Sequence, residues 1–162
     1  SRIRSLIQAG KVADVRPLLG RFYQVSGMVI PGKKRGGPLL GVPTANIKLV
    51  DELFPKPGVY AVWAEHEDLL HPAVANVGFN PTFGNDALSV EVHILNFSKD
   101  LYTQTLKVHF VERLRAERKF SGVDELLDQI HKDIAQAGVA LADPVNAISR
   151  TESRANSEHP TA

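Results

Sequence analysis

Apolar positions fall into three regimes along the chain. Over residues 1–20, Ile3, Leu6, Ile7, Val12, Val15, Leu18 and Leu19 recur at helical spacings. Gly10 breaks that run and Pro17 limits it, so two short helices are expected. From there to about residue 116, short β-rich runs alternate with turn signals. The runs are Phe22–Val29, Thr44–Val50, Val59–Ala64, Ala73–Val77, Leu88–Leu95 and Leu106–Leu114, and most of the glycine and proline lies between them. That is the pattern of a small all-β domain. One long helix is expected next, because Val123, Leu126, Leu127, Ile130, Ile134 and Ala137 make a single stripe at three- and four-residue steps. Ser121 stands where a cap belongs, with Asp124 three residues on, and Gly138 stands where the helix is expected to close. The stripe needs an apolar partner, and an opening or edge of the β-domain is the expected one. Beyond Asp143-Pro144 the chain turns polar, so residues 145–162 read as a tail without chemistry.

A length of 162 residues fits one domain. Lys plus Arg total 19 against 18 for Asp plus Glu, and a net charge of +1 gives no general attraction to nucleic acid or an anionic membrane. The absence of cysteine excludes a disulfide scaffold, a thiolate zinc site and a cysteine nucleophile. No apolar run approaches the ~18–20 residues that span a bilayer, and Ser1-Arg2-Ile3-Arg4 is no signal peptide. A soluble, cytoplasmic chain is expected, with neither nucleic acid nor membrane as partner.

Three segments carry candidate chemistry. Gly32-Lys33-Lys34-Arg35-Gly36-Gly37 lies between two expected strands. Its glycines let backbone N–H groups turn towards an anion and its cations add charge; the same composition also suits a solvated basic hairpin loop. It is not a nucleotide-binding P-loop, since Lys34 stands where that pattern needs a Ser or Thr. In Gly41-Val42-Pro43-Thr44-Ala45-Asn46, Pro43 drives the chain into an extended entry. Residues two apart then share a face, which sets Thr44 beside Asn46. A hydroxyl and an amide carbonyl together suit Mg²⁺ and a nucleotide phosphate, and they equally suit satisfying local backbone groups. In Ser89-Val90-Glu91-Val92-His93-Ile94 the alternation turns Glu91 and His93 to one face. Glu91 there is either a carboxylate base on a rigid strand or a solvated outer-face residue.

These segments together resemble riboflavin kinase, in the form found as the C-terminal module of bacterial bifunctional riboflavin kinase/FAD synthetases. The residues that carry the resemblance are Gly41-Val42-Pro43-Thr44-Ala45-Asn46, Pro57-Gly58-Val59-Tyr60, Asn76-Val77-Gly78-Phe79-Asn80-Pro81-Thr82-Phe83-Gly84, Val90-Glu91-Val92-His93 and Leu114-Arg115-Ala116-Glu117-Arg118-Lys119-Phe120. Order and spacing agree over about residues 19–137. The chain differs at Phe79-Asn80, where a Thr-Arg-like pair is usual, and at Ala116, where proline is common.

The resemblance implies a mainly β fold, a six-stranded antiparallel Greek-key barrel with a long C-terminal helix and short N-terminal helices. It implies transfer of the ATP γ-phosphate to the riboflavin 5′-hydroxyl, giving FMN and ADP. Thr44 and Asn46 would bind Mg²⁺ and phosphate, and the loop Gly32 to Gly37 would lie over the nucleotide. Glu91 would be the base, while Arg115, Glu117 and Phe120 would border the flavin. On this reading residues 1–18 are the remnant of an upstream adenylyltransferase domain and its linker, 19–140 the kinase domain and 141–162 a polar tail. The alternative is a flavin- or nucleotide-binding regulatory barrel without turnover.

Overall fold

The computed structural model describes residues 1–30, 43–49, 53–79 and 87–149. Six strands form the body: β1 Tyr23–Ile30, β2 Ala45–Lys48, β3 Gly58–His66, β4 Leu69–Phe79, β5 Leu88–Ile94 and β6 Thr105–Arg115. They close in the order β1-β2-β5-β4-β3-β6, and every neighbouring pair is antiparallel. β3, β4 and β5 follow one another directly and β6 returns beside β3, which is the Greek key. The expected fold is present.

Alternation sends one side chain in and the next out. Val25, Ile47, Tyr60, Val62, Val90 and Phe110 are among the fully buried residues that fill the interior. Tyr60 and Phe110 meet edge to face at 5.2 Å, and the Tyr60 hydroxyl donates to the Lys56 carbonyl. Burial raises the Tyr60 pKa, with Arg113 opposing it.

β4 is longer than the Ala73–Val77 run. It pairs with β3 out to His66–Leu69, and the two-residue turn Glu67-Asp68 has positive φ at both residues, 50° and 65°. That turn has no glycine to announce it, and Pro72 argues against a strand. The Pro72 carbonyl accepts from Leu95 N–H, so its ring nitrogen faces the side where β5 has already ended at Ile94.

The helices correct several expectations. The N-terminal region holds α1 Arg2–Gln8, one 3₁₀ turn at Val12–Asp14, and α2 Arg16–Leu19. Pro17 opens α2 rather than limiting a helix, since the first turn has no use for its missing N–H. The long helix α3, Val123–Ala142, runs past Gly138 and stops before Asp143-Pro144. Gly122 precedes it; Ser121 is not its cap, and the Ser121 hydroxyl instead donates to Glu125 Oε2 at 2.5 Å. α3 lies on the outer wall of β3, β4 and β6, not on an opening or edge. There Ala137 and Leu141 pack with Phe22, Ala61 and Val111, while Leu126, Leu127, Ile130 and Ile134 are only half-buried.

Of the expected polar tail, residues 141–149 are described, and they are tied to the body. Leu141 is buried, Arg16 donates to the Val145 carbonyl at 2.6 Å and the Ala147 carbonyl at 3.0 Å, and Trp63 Nε1 donates to the Asn146 carbonyl at 2.8 Å. Those anchors are backbone carbonyls, which composition does not reveal.

Two glycines test this geometry. A Cβ on Gly27 would stand 2.2 Å from the Lys48 carbonyl oxygen of β2, whereas one on Gly138 would meet nothing within 4 Å. Gly27→Ala is expected to cost about 1–3 kcal/mol, and Gly138→Ala to gain about 0.5–1 kcal/mol. Urea denaturation reads both. A Gly27→Ala variant as stable as the parent would contradict the close approach of β1 and β2.

Candidate functional site

With the interior filled by side chains, polar chemistry must lie on the outer face. Register there sets one row of neighbours. Asn46 on β2 pairs with Glu91 on β5, Glu91 with Asn76 on β4, Asn76 with Val59 on β3, and Val59 with Arg115 on β6. Directly opposed side chains in such ladders lie ~4.5–5.5 Å apart at Cβ, so Glu91 sits between two amide side chains. Asn46 is buried, with 5% exposure, while Ala45 and Ile47 turn to the core, as alternation requires. Glu91 is half-buried, and its neighbours Val90 and Val92 lie inside the barrel. Thr44 is exposed and one residue outside β2. Beside it, His93 Nδ1 donates to the Pro43 carbonyl at 2.8 Å.

The other end of the row is built by the chain leaving β6. Arg115 is fixed by α3: its Nε and Nη2 donate to the two carboxylate oxygens of Asp133, each at 2.8 Å. Gln129 Nε2 adds a third bond to Asp133 Oδ1 at 2.9 Å. Such a fork is short and directional. Phe120 lies with its ring 5.8 Å from the Arg115 guanidinium and 4.8 Å from that of Arg118, which in turn pairs with Glu125. Glu117 folds back onto β4, and a Cβ on Gly78 would stand 2.0 Å from its Oε1 and 3.4 Å from Asn76 Oδ1. Burial of its carboxyl end raises the Glu117 pKa, and the Arg115 charge opposes that. Glu117 and Asn76 thus both border the space above Gly78.

Thr44, Asn46 and Glu91 therefore form one group, and Arg115, Glu117 and Phe120 a second, on the same outer wall. Gly32, Lys33, Lys34, Arg35, Gly36 and Gly37 lie outside the described residues. The structure adds residues that the pattern did not single out: Asn76, the Gly78 clearing, the His93 contact and Asp133. Asp133 had a signal, because it shares a four-residue repeat with the buried Ala137 and Leu141. A carboxylate on that line requires a cation.

Among the described residues no group of three or more His, Asp or Glu is placed to hold a metal. The donors at the first group are neutral oxygens with one carboxylate nearby. That set fits a hard cation that keeps waters and shares a substrate's phosphates, as Mg²⁺ does.

Comparison with known proteins bears on the family. Residues 19–141 match the Flavokinase family, described as riboflavin kinase. The bifunctional riboflavin kinase/FMN adenylyltransferase of Bacillus subtilis is 40% identical over 141 residues, covering 85% of this chain and 44% of that protein. Its counterpart in Listeria monocytogenes is 42% identical over 135 residues, covering 82% of this chain and 43% of that one. The chain thus spans just under half of these relatives. A solved structure described as a macrolide-efflux protein from Streptococcus pneumoniae superposes with a TM-score of 0.78 at 38% identity, covering 85% of this chain and 45% of that one. Riboflavin kinase from Trypanosoma brucei shares the fold, with a TM-score of 0.62 at 23% identity over 86% and 90% of the two chains.

Loss of the Asp133 carboxylate should uncouple α3 from β6. Asp133 is 5% and Arg115 20% exposed at the side chain, so Asp133→Ala strands a mostly buried guanidinium. The expected loss is about 3 kcal/mol, while Asp124→Ala on the exposed face of α3 is expected to stay within ~0.5 kcal/mol. Chemical denaturation compares them; equal effects would show that the fork contributes nothing.

Proposed function

The chain belongs to the riboflavin kinase family, and from that footing we propose that it transfers the γ-phosphoryl group of ATP to the riboflavin 5′-hydroxyl, giving FMN and ADP. One observation carries the reading. The strand register pairs Asn46 with Glu91, which supports reading Asn46 as a phosphate-side ligand and Glu91 as a base on the same wall. Residues 19–140 are read as the kinase domain. The adenylyltransferase activity in the relatives' names is said of those proteins.

Phosphoryl transfer asks the protein mainly for alignment and charge neutralisation. Thr44 and Asn46 would hold Mg²⁺ together with the nucleotide phosphates, and the ion supplies neutralisation of the charge that develops on them. Asn46 is held rigidly in its ladder, so its amide offers a fixed point from which the phosphate position is set. Glu91, one strand across, orients the hydroxyl and accepts its proton as the new oxygen–phosphorus bond forms. A primary hydroxyl does not ionise near neutral pH, so the proton leaves during bond formation and no earlier. Arg115, held by Asp133, and Phe120 beside it offer a cation and an aromatic face to the flavin. The same row without turnover would describe a regulatory binder, and one assay separates the two: riboflavin, ATP and Mg²⁺ are mixed with the chain and FMN is resolved by chromatography. Absence of FMN would overturn the kinase reading.

Glu91→Gln keeps length and hydrogen bonding but cannot take the proton as a carboxylate does. Its kcat is expected to fall at least ~100-fold, with nucleotide affinity and thermal stability nearly unchanged. Retention of more than about half the parent kcat would remove Glu91 from the role of base.

Thr44→Val keeps shape and removes one oxygen. Calorimetry of ADP with and without Mg²⁺ should show that the variant has lost most of the Mg²⁺-dependent gain in affinity. An unchanged gain would exclude Thr44 as a ligand.

A further inference from the structure

We propose that His93 is a positioning residue: it orients the Pro43–Thr44 peptide and through it the Thr44 hydroxyl. The inference rests on the reading of Thr44 and Asn46 as the phosphate-side pair. It starts from a gap in the ladder. The last pair between β2 and β5 is Ala45 with Val92, so Thr44 stands one residue outside. Among the described residues, no ladder pair of β2 includes the peptide that enters it.

Pro43 narrows the question to one torsion. Its ring locks φ near −65° and removes its N–H, so ψ is the soft angle that remains, and the carbonyl is its sole backbone polar group. The direction of that carbonyl reports ψ. His93 Nδ1 lies 2.8 Å from the Pro43 oxygen, so this one hydrogen bond fixes the free torsion and with it the plane from which Thr44 departs. A carbonyl only accepts, so Nδ1 carries the proton. Both the neutral Nδ1–H tautomer and the imidazolium meet that requirement, and the strut holds in either protonation state.

His93 also follows Glu91 by two residues on β5 and shares its face. One strand therefore carries the proposed base and the strut that sets the proposed phosphate ligand. Displacement of β5 would move the two together and preserve their spacing.

The test compares two substitutions. His93→Leu keeps a branch at Cγ without a donor, and His93→Asn places an amide N–H near the Nδ1 position. His93→Leu is expected to raise the KM for MgATP roughly tenfold, to leave the riboflavin KM within about twofold, and to weaken MgADP binding in calorimetry in parallel. His93→Asn should restore the MgATP KM to within about threefold of the parent. The proposal is overturned if the MgATP KM of His93→Leu stays within about twofold, if both KM values rise alike, or if His93→Asn is no better than His93→Leu. Nitrogen NMR of the parent imidazole decides independently of how any variant folds: an Nδ1–H tautomer supports the strut and an Nε2–H tautomer overturns it. Should the parent make no FMN, the kinase reading fails, while MgADP calorimetry and the tautomer still judge the strut.

Discussion

A closed barrel of six strands has no room inside for anything but its own side chains, and here valines, alanines, Tyr60 and Phe110 fill it. Every polar group that is to meet a ligand must therefore stand on the outer wall. On that wall the neighbour of a residue is decided by strand register alone. A slip of one residue in β5 would turn Glu91 into the core and Val90 or Val92 into solvent. Burial of the valines on either side thus holds Glu91 beside Asn46 and Asn76. The apolar interior sets the geometry of the polar wall.

A second constraint joins the barrel to α3. The contacts of Ala137 and Leu141 are apolar and non-directional, and they would tolerate some rotation of the helix. The fork between Arg115 and Asp133 removes that freedom, because two parallel N–H···O bonds fix a plane. Arg115 is thereby oriented at the end of the same row that begins at Asn46. At the helix start, Glu125 and Gln129 accept from Arg118 of the chain leaving β6, and Leu126, Leu127 and Ile130 beside them are half-buried.

The sequence was legible wherever period and burial agreed. Val90-Glu91-Val92-His93 alternates because one face of β5 is core, and the face assigned to Glu91 is the face observed. Thr44-Ala45-Asn46-Ile47 follows the same rule. The readings that failed were those where a local signal met a stronger partner elsewhere. Gly138 resembled a helix stop, yet α3 continues to Ala142 because Leu141 still finds apolar contacts. Pro72 hid the first half of β4, because one strand pattern cannot show that β5 ends opposite it. The segment 143–149 looked like tail because its ties run from Arg16 and Trp63 to backbone carbonyls, about 130 and 83 residues away for the first carbonyl each contacts. Pairings such as Arg115 with Asp133 belong to the same class. Each partner is visible alone, and only the fold shows that they meet.

The choice of neutral oxygens at Thr44 and Asn46 has an electrostatic consequence for the proposed reaction. At ~4 Å and an effective dielectric of about 20, each added carboxylate would interact with each unit of phosphate charge by about 4 kcal/mol, unfavourably. A ring of acidic ligands would hold a free cation well and then oppose the nucleotide that must join it. A hydroxyl and an amide add no charge, so a divalent ion gains most of its partners from the phosphates and is best bound as their companion. Among the described residues, Glu91 is the carboxylate that the register places beside this pair. It stands a strand away, and on the proposed reading it would face a hydroxyl approaching the phosphate, with that hydroxyl between them. On the proposed reading, neutral ligands and an offset carboxylate would let the same few ångströms of sheet attract a nucleotide and still accept a proton.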